Sequence, residues 1–157
     1  MSVWSADKAL DWYSKHGWLV GCNFLPSSSI NQIEMFQANT FDITEIRREL
    51  SWAKDLGFNT LRVYLHDLLW QEKDQFITRF NKFLDCCKDL EIKPMIVLFD
   101  DCHYPLPQLG LQPLPVKGVH NSGWKQSPGH EIVREIASLG QSEHIPRLKK
   151  FTQEILD

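Results

Sequence analysis

The sequence has no positive charge to spare, since 17 lysines and arginines stand against 20 aspartates and glutamates. With a net charge of -3, a pI near 6.1 and no basic tract, it offers no field for a phosphate backbone, and nucleic acid is not an expected partner. No apolar run approaches the roughly 20 residues that cross a bilayer, so no membrane partner is expected either. The opening "MSVWSADKAL" lacks the basic start and apolar centre of a secretory signal. As written the chain reads as cytoplasmic; an incomplete gene start would fit an extracellular or periplasmic protein instead. The four cysteines, Cys22, Cys86, Cys87 and Cys102, make no Cys-x-x-Cys pair and have no zinc-like spacing with histidine. Cys86 and Cys87 fall in a helical pattern and are expected to pack as small apolar residues. No cofactor is indicated.

What the sequence does have is an alternation of strand-like and helix-like segments, in a chain of 157 residues that suits one domain. Ser5 is placed to cap a helix from Ala6 toward His16 that stops at Gly17. "WLVGCNF", Trp18 to Phe24, reads as a buried strand opening into a long loop from Leu25 to Thr40. Asp42 with Glu45 forms a capping-box-like start, and Ile43, Ile46, Leu50, Ala53 and Leu56 then repeat at helical spacing. In "GFNTLRVYLHDLLW", Leu61, Val63 and Leu65 alternate with Arg62, Tyr64 and His66, the period of two that marks a strand. Phe76, Ile77, Phe80, Phe83, Leu84, Cys87 and Leu90 trace a further amphipathic helix. "KPMIVLFDD" follows as a third strand. This rhythm predicts an α/β fold with a parallel sheet. Beyond it lies a proline- and glycine-rich loop over 102–130, then helical segments from His130 to Leu139 and from Pro146 to Leu156. A loop of that length in a compact domain is usually functional or disordered.

The polar residues gather after the strands: Asn23 and Glu34 after the first, His66 and Asp67 after the second, Asp100, Asp101 and His103 after the third. In parallel α/β proteins the carboxyl ends of the strands are where ligands bind. Loops are polar in any case, so the repetition over three strands is the signal rather than any one residue. Arg62 sits on the polar face of its strand. A guanidinium there points either to solvent beside an edge strand or inward to an anionic partner. Flat rings stack on the apolar faces of pyranose sugars, so Tyr104 and Trp124 are candidate platforms, with His120 and Asn121 as hydroxyl partners. Trp124 could equally pin its own loop. Trp52 and Trp70, on or beside helices, are expected to pack inward.

The blocks "GWLVGCNFLPSSSINQIEMFQANTFD", "ELSWAKDLGFNTLRVYLHDLLW", "KPMIVLFDDC" and "GVHNSGWKQSPG" together resemble the amino-terminal part of cellulase-type glycoside hydrolases. The likeness is to family 5 of the large retaining clan, whose members are often labelled 1,4-β-xylanase. It covers nearly the whole chain. It implies a TIM-type (β/α)8 barrel acting on a β-linked oligo- or polysaccharide such as xylan, cellulose or mannan. Two glutamates with carboxyls roughly 5 Å apart would cleave the bond with retention. It further implies that Arg62, on the second strand, supports the charge of the nucleophile. Asn23, Glu34, His66, Asp67, Asp100, His103, His120, Asn121 and Trp124 would line the substrate cleft. The family places its acid/base in an Asn-Glu pair after the fourth strand and its nucleophile at the end of the seventh. This sequence contains no Asn-Glu pair. A full barrel takes about 250 residues. The resemblance therefore implies about the first three βα units of such an enzyme, with neither catalytic glutamate, and no hydrolysis by this chain alone.

Other readings of the same residues stay open. Glu34, Asp67, Asp100 and Asp101 could supply a pair of carboxyls themselves. His66, His103 and His120 with Asp67 and Asp100 have the donor types of a zinc or manganese site, although the first strand carries no His-x-His. A non-catalytic carbohydrate-binding or assembly module would keep the sugar-facing loops without the acids. A parallel sheet of three strands leaves both outer strands unpaired, so self-association through the sheet edges is expected.

Overall fold

The computed structural model describes residues 3–100 and 107–156. It is a mixed α/β structure around a three-stranded parallel sheet in the order β1 (Gly21–Asn23), β2 (Thr60–Tyr64), β3 (Lys93–Val97). The register sets Asn23, Arg62 and Met95 side by side, and Cys22, Leu61 and Pro94 one position along. Since side chains alternate across a strand, one face of the sheet carries Leu61, Val63 and Leu65. The other carries Arg62, Tyr64 and Met95.

The first of these faces is covered by helices α3 (Ile43–Asp55) and α4 (Lys73–Asp89). The α3 helix begins where the sequence places it, with the Asp42 carboxylate accepting from the N–H groups of Thr44 and Glu45 at 3.0 Å each. Glu45 bonds elsewhere, accepting from Ser27 Oγ at 2.9 Å and from Arg48. Ile46 and Leu50 of α3 meet Phe76, Phe80, Phe83, Cys86 and Cys87 of α4, Leu61 and Val63 of β2, and Leu65 just beyond it, in one core. Burial pushes the Cys87 thiol up to about 12, so it stays protonated and unreactive. Trp52 does not join that core. It is 54% exposed, on the far side of α3 from Ile46 and Leu50, with the Arg48 guanidinium over its ring at 5.0 Å. Two residues beyond Leu50, a helical side chain has turned about 200° away from the buried stripe.

Two further expectations are corrected. The first strand is three residues long and exposed, not a buried run from Trp18 to Phe24; Trp18 is 78% exposed. It is an edge strand, paired only with β2 among the described residues. It approaches β2 so closely that a Cβ on Gly21 would stand 1.8 Å from the Thr60 carbonyl oxygen. Only glycine fits there without moving the backbone. The segment from Leu25 to Thr40 contains a buried helix, α2 (Gln32–Phe36), capped by the Asn31 side chain. Phe36 anchors it, meeting Phe76, Phe80 and Phe83 edge-on at 5.7 to 5.8 Å between ring centres. Arg79 Nε–H closes the helix end by donating to the Phe36 carbonyl at 2.6 Å.

Helix α1 (Ala6–His16) has the expected Ser5 cap and Gly17 stop, and buries none of its residues. A 3-10 turn, Asp67–Glu72, joins β2 to α4. Helices α5 (His130–Leu139) and α6 (Ile145–Leu156) follow the long loop. Phe151 fixes α6 to the core through Trp70, 5.3 Å between ring centres, and Trp70 Nε1–H donates to Glu154 at 2.7 Å. Trp70 thus packs inward as its sequence position suggests. No helix among the described residues is long and apolar enough to cross a membrane.

Candidate functional site

At the carboxyl ends of the three strands lies a cleft of about 580 Å3, lined by Asn23, Phe24, Leu25, Arg62, Tyr64, Asp100, Asn121 and Trp124. Each strand contributes at or just beyond its last residue. Asn23 ends β1 and accepts at its Oδ1 from Arg62 Nε–H at 2.7 Å. The Arg62 guanidinium lies over the Tyr64 ring at 5.1 Å, so one hydrogen bond and one ring hold its plane. Tyr64 in turn meets Trp124 edge to face, 5.1 Å between centres and 87° between planes.

Trp124 comes from the long loop, and Asp100 fixes it there. The Asp100 carboxylate accepts from Trp124 Nε1–H at 2.7 Å and from the Ser127 N–H at 3.0 Å. The Asp100 N–H donates back to the Ser127 carbonyl at 3.0 Å. Asn121 has a left-handed backbone, φ 52°, and its carbonyl accepts from Trp124 N–H at 3.0 Å. A tight turn thus presents the indole to the cleft. One open cleft therefore contains a cation, a clamped aromatic wall and two side-chain amides. Such a set suits a polar ligand with an apolar face.

Five of the expected residues, Asn23, Arg62, Asp100, Asn121 and Trp124, come together here. Others do not. His66 and Asp67 were expected on the ligand side and instead lie buried behind the loop, 0% and 1% exposed. His66 Nδ1 accepts from Leu68 N–H at 3.2 Å and Nε2–H donates to the Gln126 carbonyl at 2.8 Å, which fixes one neutral tautomer. Burial lowers its pKa from the ordinary 6.5, against the raising effects of Asp67 and the Gln126 carbonyl. With Nδ1 already an acceptor, its 3.4 Å approach to Asp67 Oδ1 is not an ion pair. Asp67 is paired with Arg147 of α6 at 2.9 Å and accepts from Ser127 Oγ at 2.8 Å. Glu34 is also buried, and its carboxylate accepts from the Ile30 N–H at 2.7 Å, inside its own turn. Glu34 stands in the first turn of α2, where a carboxylate reaches back to the free N–H groups at the helix start. His120 is exposed on the long loop and does not line the cleft. His103, Asp101 and Tyr104 lie outside the described residues. Among the described residues no three His, Cys, Asp or Glu side chains gather closely enough to hold a metal ion.

Sequence reasoning put Tyr64 on the same strand face as Arg62 without naming it as a cleft member, and missed Phe24, Leu25 and a set of buried amides. Asn31 Nδ2 donates to Gln112 Oε1 at 3.0 Å and to the Gly123 carbonyl at 2.9 Å. Gln32 donates to the Lys125 carbonyl, and Gln37 exchanges two 3.0 Å bonds with Gly110. These side chains fasten the long loop to α2. The phrase "NQIE" carried the signal, as a cap residue followed three positions on by glutamate. Comparison with family models, curated proteins and solved structures gives no match to this chain, so its own residues carry the functional reading.

Proposed function

We propose that this chain forms the sugar-facing part of a family 5-like, retaining β-glycan hydrolase barrel and that alone it binds β-linked oligosaccharide without cleaving it. The observation that supports this is the convergence of Asn23, Arg62, Tyr64, Asp100, Asn121 and Trp124 on one cleft at the carboxyl ends of three parallel strands. In this reading the Trp124 indole is the platform for a pyranose face, and Asn23 and Asn121 meet hydroxyls. Arg62 supports the charge of a nucleophile carboxylate in the assembled barrel. Asp100 positions Trp124. The sheet is then a segment of the barrel wall, with its Arg62 face turned to the centre.

A second reading, a non-catalytic carbohydrate-binding or assembly module, draws on two observations. Glu34, Asp67 and Asp100 already accept hydrogen bonds or ion pairs from their own fold, which is poor preparation for proton transfer. The outer strands have no second neighbour among the described residues, and Met95 on the uncovered face is 56% exposed. Under this reading the purified protein self-associates through those edges.

Isothermal titration of the protein with xylohexaose and cellohexaose tests both. Binding that is lost in Trp124→Ala, with no release of nitrophenol from an aryl β-glycoside, is the expected result. Absence of binding by the folded protein sinks the sugar-cleft reading. Turnover that disappears in Glu34→Gln or Asp100→Asn would instead place catalytic acids within this chain. Sedimentation of a stable monomer would remove the assembly reading.

A further inference from the structure

The Arg62 guanidinium is held from one side only. Its Nε–H is taken by a neutral amide, Asn23, and its plane is fixed over Tyr64. The two terminal nitrogens have no partner among the described residues. The other charged group lining the cleft, Asp100, has its carboxylate engaged by Trp124 and Ser127. Among the described residues the cleft therefore presents an oriented two-pronged donor with no carboxylate set against it. A planar fork of this kind matches a carboxylate with two parallel N–H···O bonds, a geometry a neutral hydroxyl cannot use fully.

Resting on the sugar-cleft reading, we propose that the ligand preferred by this chain alone, where no nucleophile carboxylate meets Arg62 among the described residues, is an acidic oligosaccharide, one carrying a uronate. Its carboxylate takes the terminal nitrogens of Arg62 while a neighbouring pyranose ring lies against Trp124. The open cleft has room for such a branch, with Asn121 and Asn23 beside it for the hydroxyls. Arg62 is thus a specificity-determining residue, selecting charge, whereas Trp124 supplies affinity common to neutral and acidic sugars.

The test is calorimetric titration of the whole chain with three ligands of equal backbone length. They are a neutral xylo-oligosaccharide, the same oligosaccharide bearing one glucuronate, and the methyl ester of that glucuronate. The free acid should bind about tenfold tighter than the other two, the usual scale for charge-assisted hydrogen bonds. Added salt should narrow the gap, because the guanidinium is exposed. Arg62→Gln should abolish the difference between the acid and the neutral ligand, and Arg62→Lys should restore only part of the gap. Equal binding of acid and ester by the unaltered protein would overturn the proposal while leaving the sugar cleft standing. Survival of the acid preference in Arg62→Gln would overturn it too. If none of the three binds, the sugar-cleft reading itself fails and takes the uronate with it. The ester comparison needs no variant, so it decides the matter even if the Arg62 substitutions do not fold.

Discussion

Asp67 and Asp100 are closely matched in sequence position and very different in what they do. β2 ends at Tyr64 and β3 at Val97, so each aspartate stands three residues past its strand. Each also holds Ser127, Asp67 through the hydroxyl and Asp100 through the backbone N–H. Asp67 is buried against Arg147 and ties the loop to α6. Asp100 lines the cleft and ties the same loop to Trp124. One serine thus joins a structural region behind the loop to a ligand-facing region in front of it. A polar residue at a strand end is a scaffold part or a site part according to which side of the covering loop it meets.

The largest expected effect comes from breaking the rear region. Asp67→Ala leaves Arg147 without its anion and Ser127 Oγ without its acceptor, and urea unfolding should register a loss of about 3 kcal/mol. Replacing Asp67 and Arg147 together by leucine should recover part of that loss, since the uncompensated charge is gone. An equal loss in the single and double variants would show that the pair itself is not what stabilises the rear region.

Next is pH. The folded-state pKa of His66 lies below its ordinary 6.5 because burial disfavours the imidazolium. The unfolded chain therefore binds the proton first as pH falls. The stability contributed by neutral His66 is full above 6.5 and declines below it, by at most about 1.4 kcal/mol per pH unit. Unfolding curves between pH 7.5 and 5.5 should show this decline, and it should flatten in His66→Gln. A slope left intact in that variant would assign the titration to another group.

The smallest stability effect is expected at the front. Asp100→Asn keeps an acceptor for one neighbour but gives up the charge-assisted bond to Trp124, at a cost of about 1 kcal/mol. Its signature should lie in ligand binding. The oligosaccharide affinity should fall several-fold because the indole is no longer held, even though Asp100 itself need not touch the sugar. Unchanged affinity together with lowered stability would make Asp100 a second Asp67.

This comparison also marks what the sequence could convey. The period of two around Arg62 and the helical stripe of α3 were legible because burial imposes a repeat on Leu61, Val63 and Leu65 and on Ile46 and Leu50. The three parallel strands followed from them. The α2 helix was hidden because five residues are too few to display a period. The shortness and exposure of β1 were hidden because apolar letters do not say whether a neighbouring strand covers them. At the site, Asn23, Arg62, Asp100, Asn121 and Trp124 were recognisable by chemistry and position after strands. His66, Asp67 and Glu34 have the same chemistry, but the loop over 107–129 with α6 encloses the first two and Glu34 turns back into its own helix start. The path of that loop is set by long-range amide bonds from Asn31 and Gln37, which leave no periodic trace in the sequence.

Helix α1 has one further consequence. It has eleven residues and buries none of them, with Leu10 and Tyr13 among its exposed side chains. An isolated helix shorter than about 12–15 residues is marginal in water, because nucleation costs more than so few turns return. Its backbone amides should therefore trade hydrogen for deuterium by local opening, well before those of β2, α3 and α4, whose protection tracks unfolding of the whole core. The chain thus carries a segment that can melt and re-form without disturbing the sheet or the cleft.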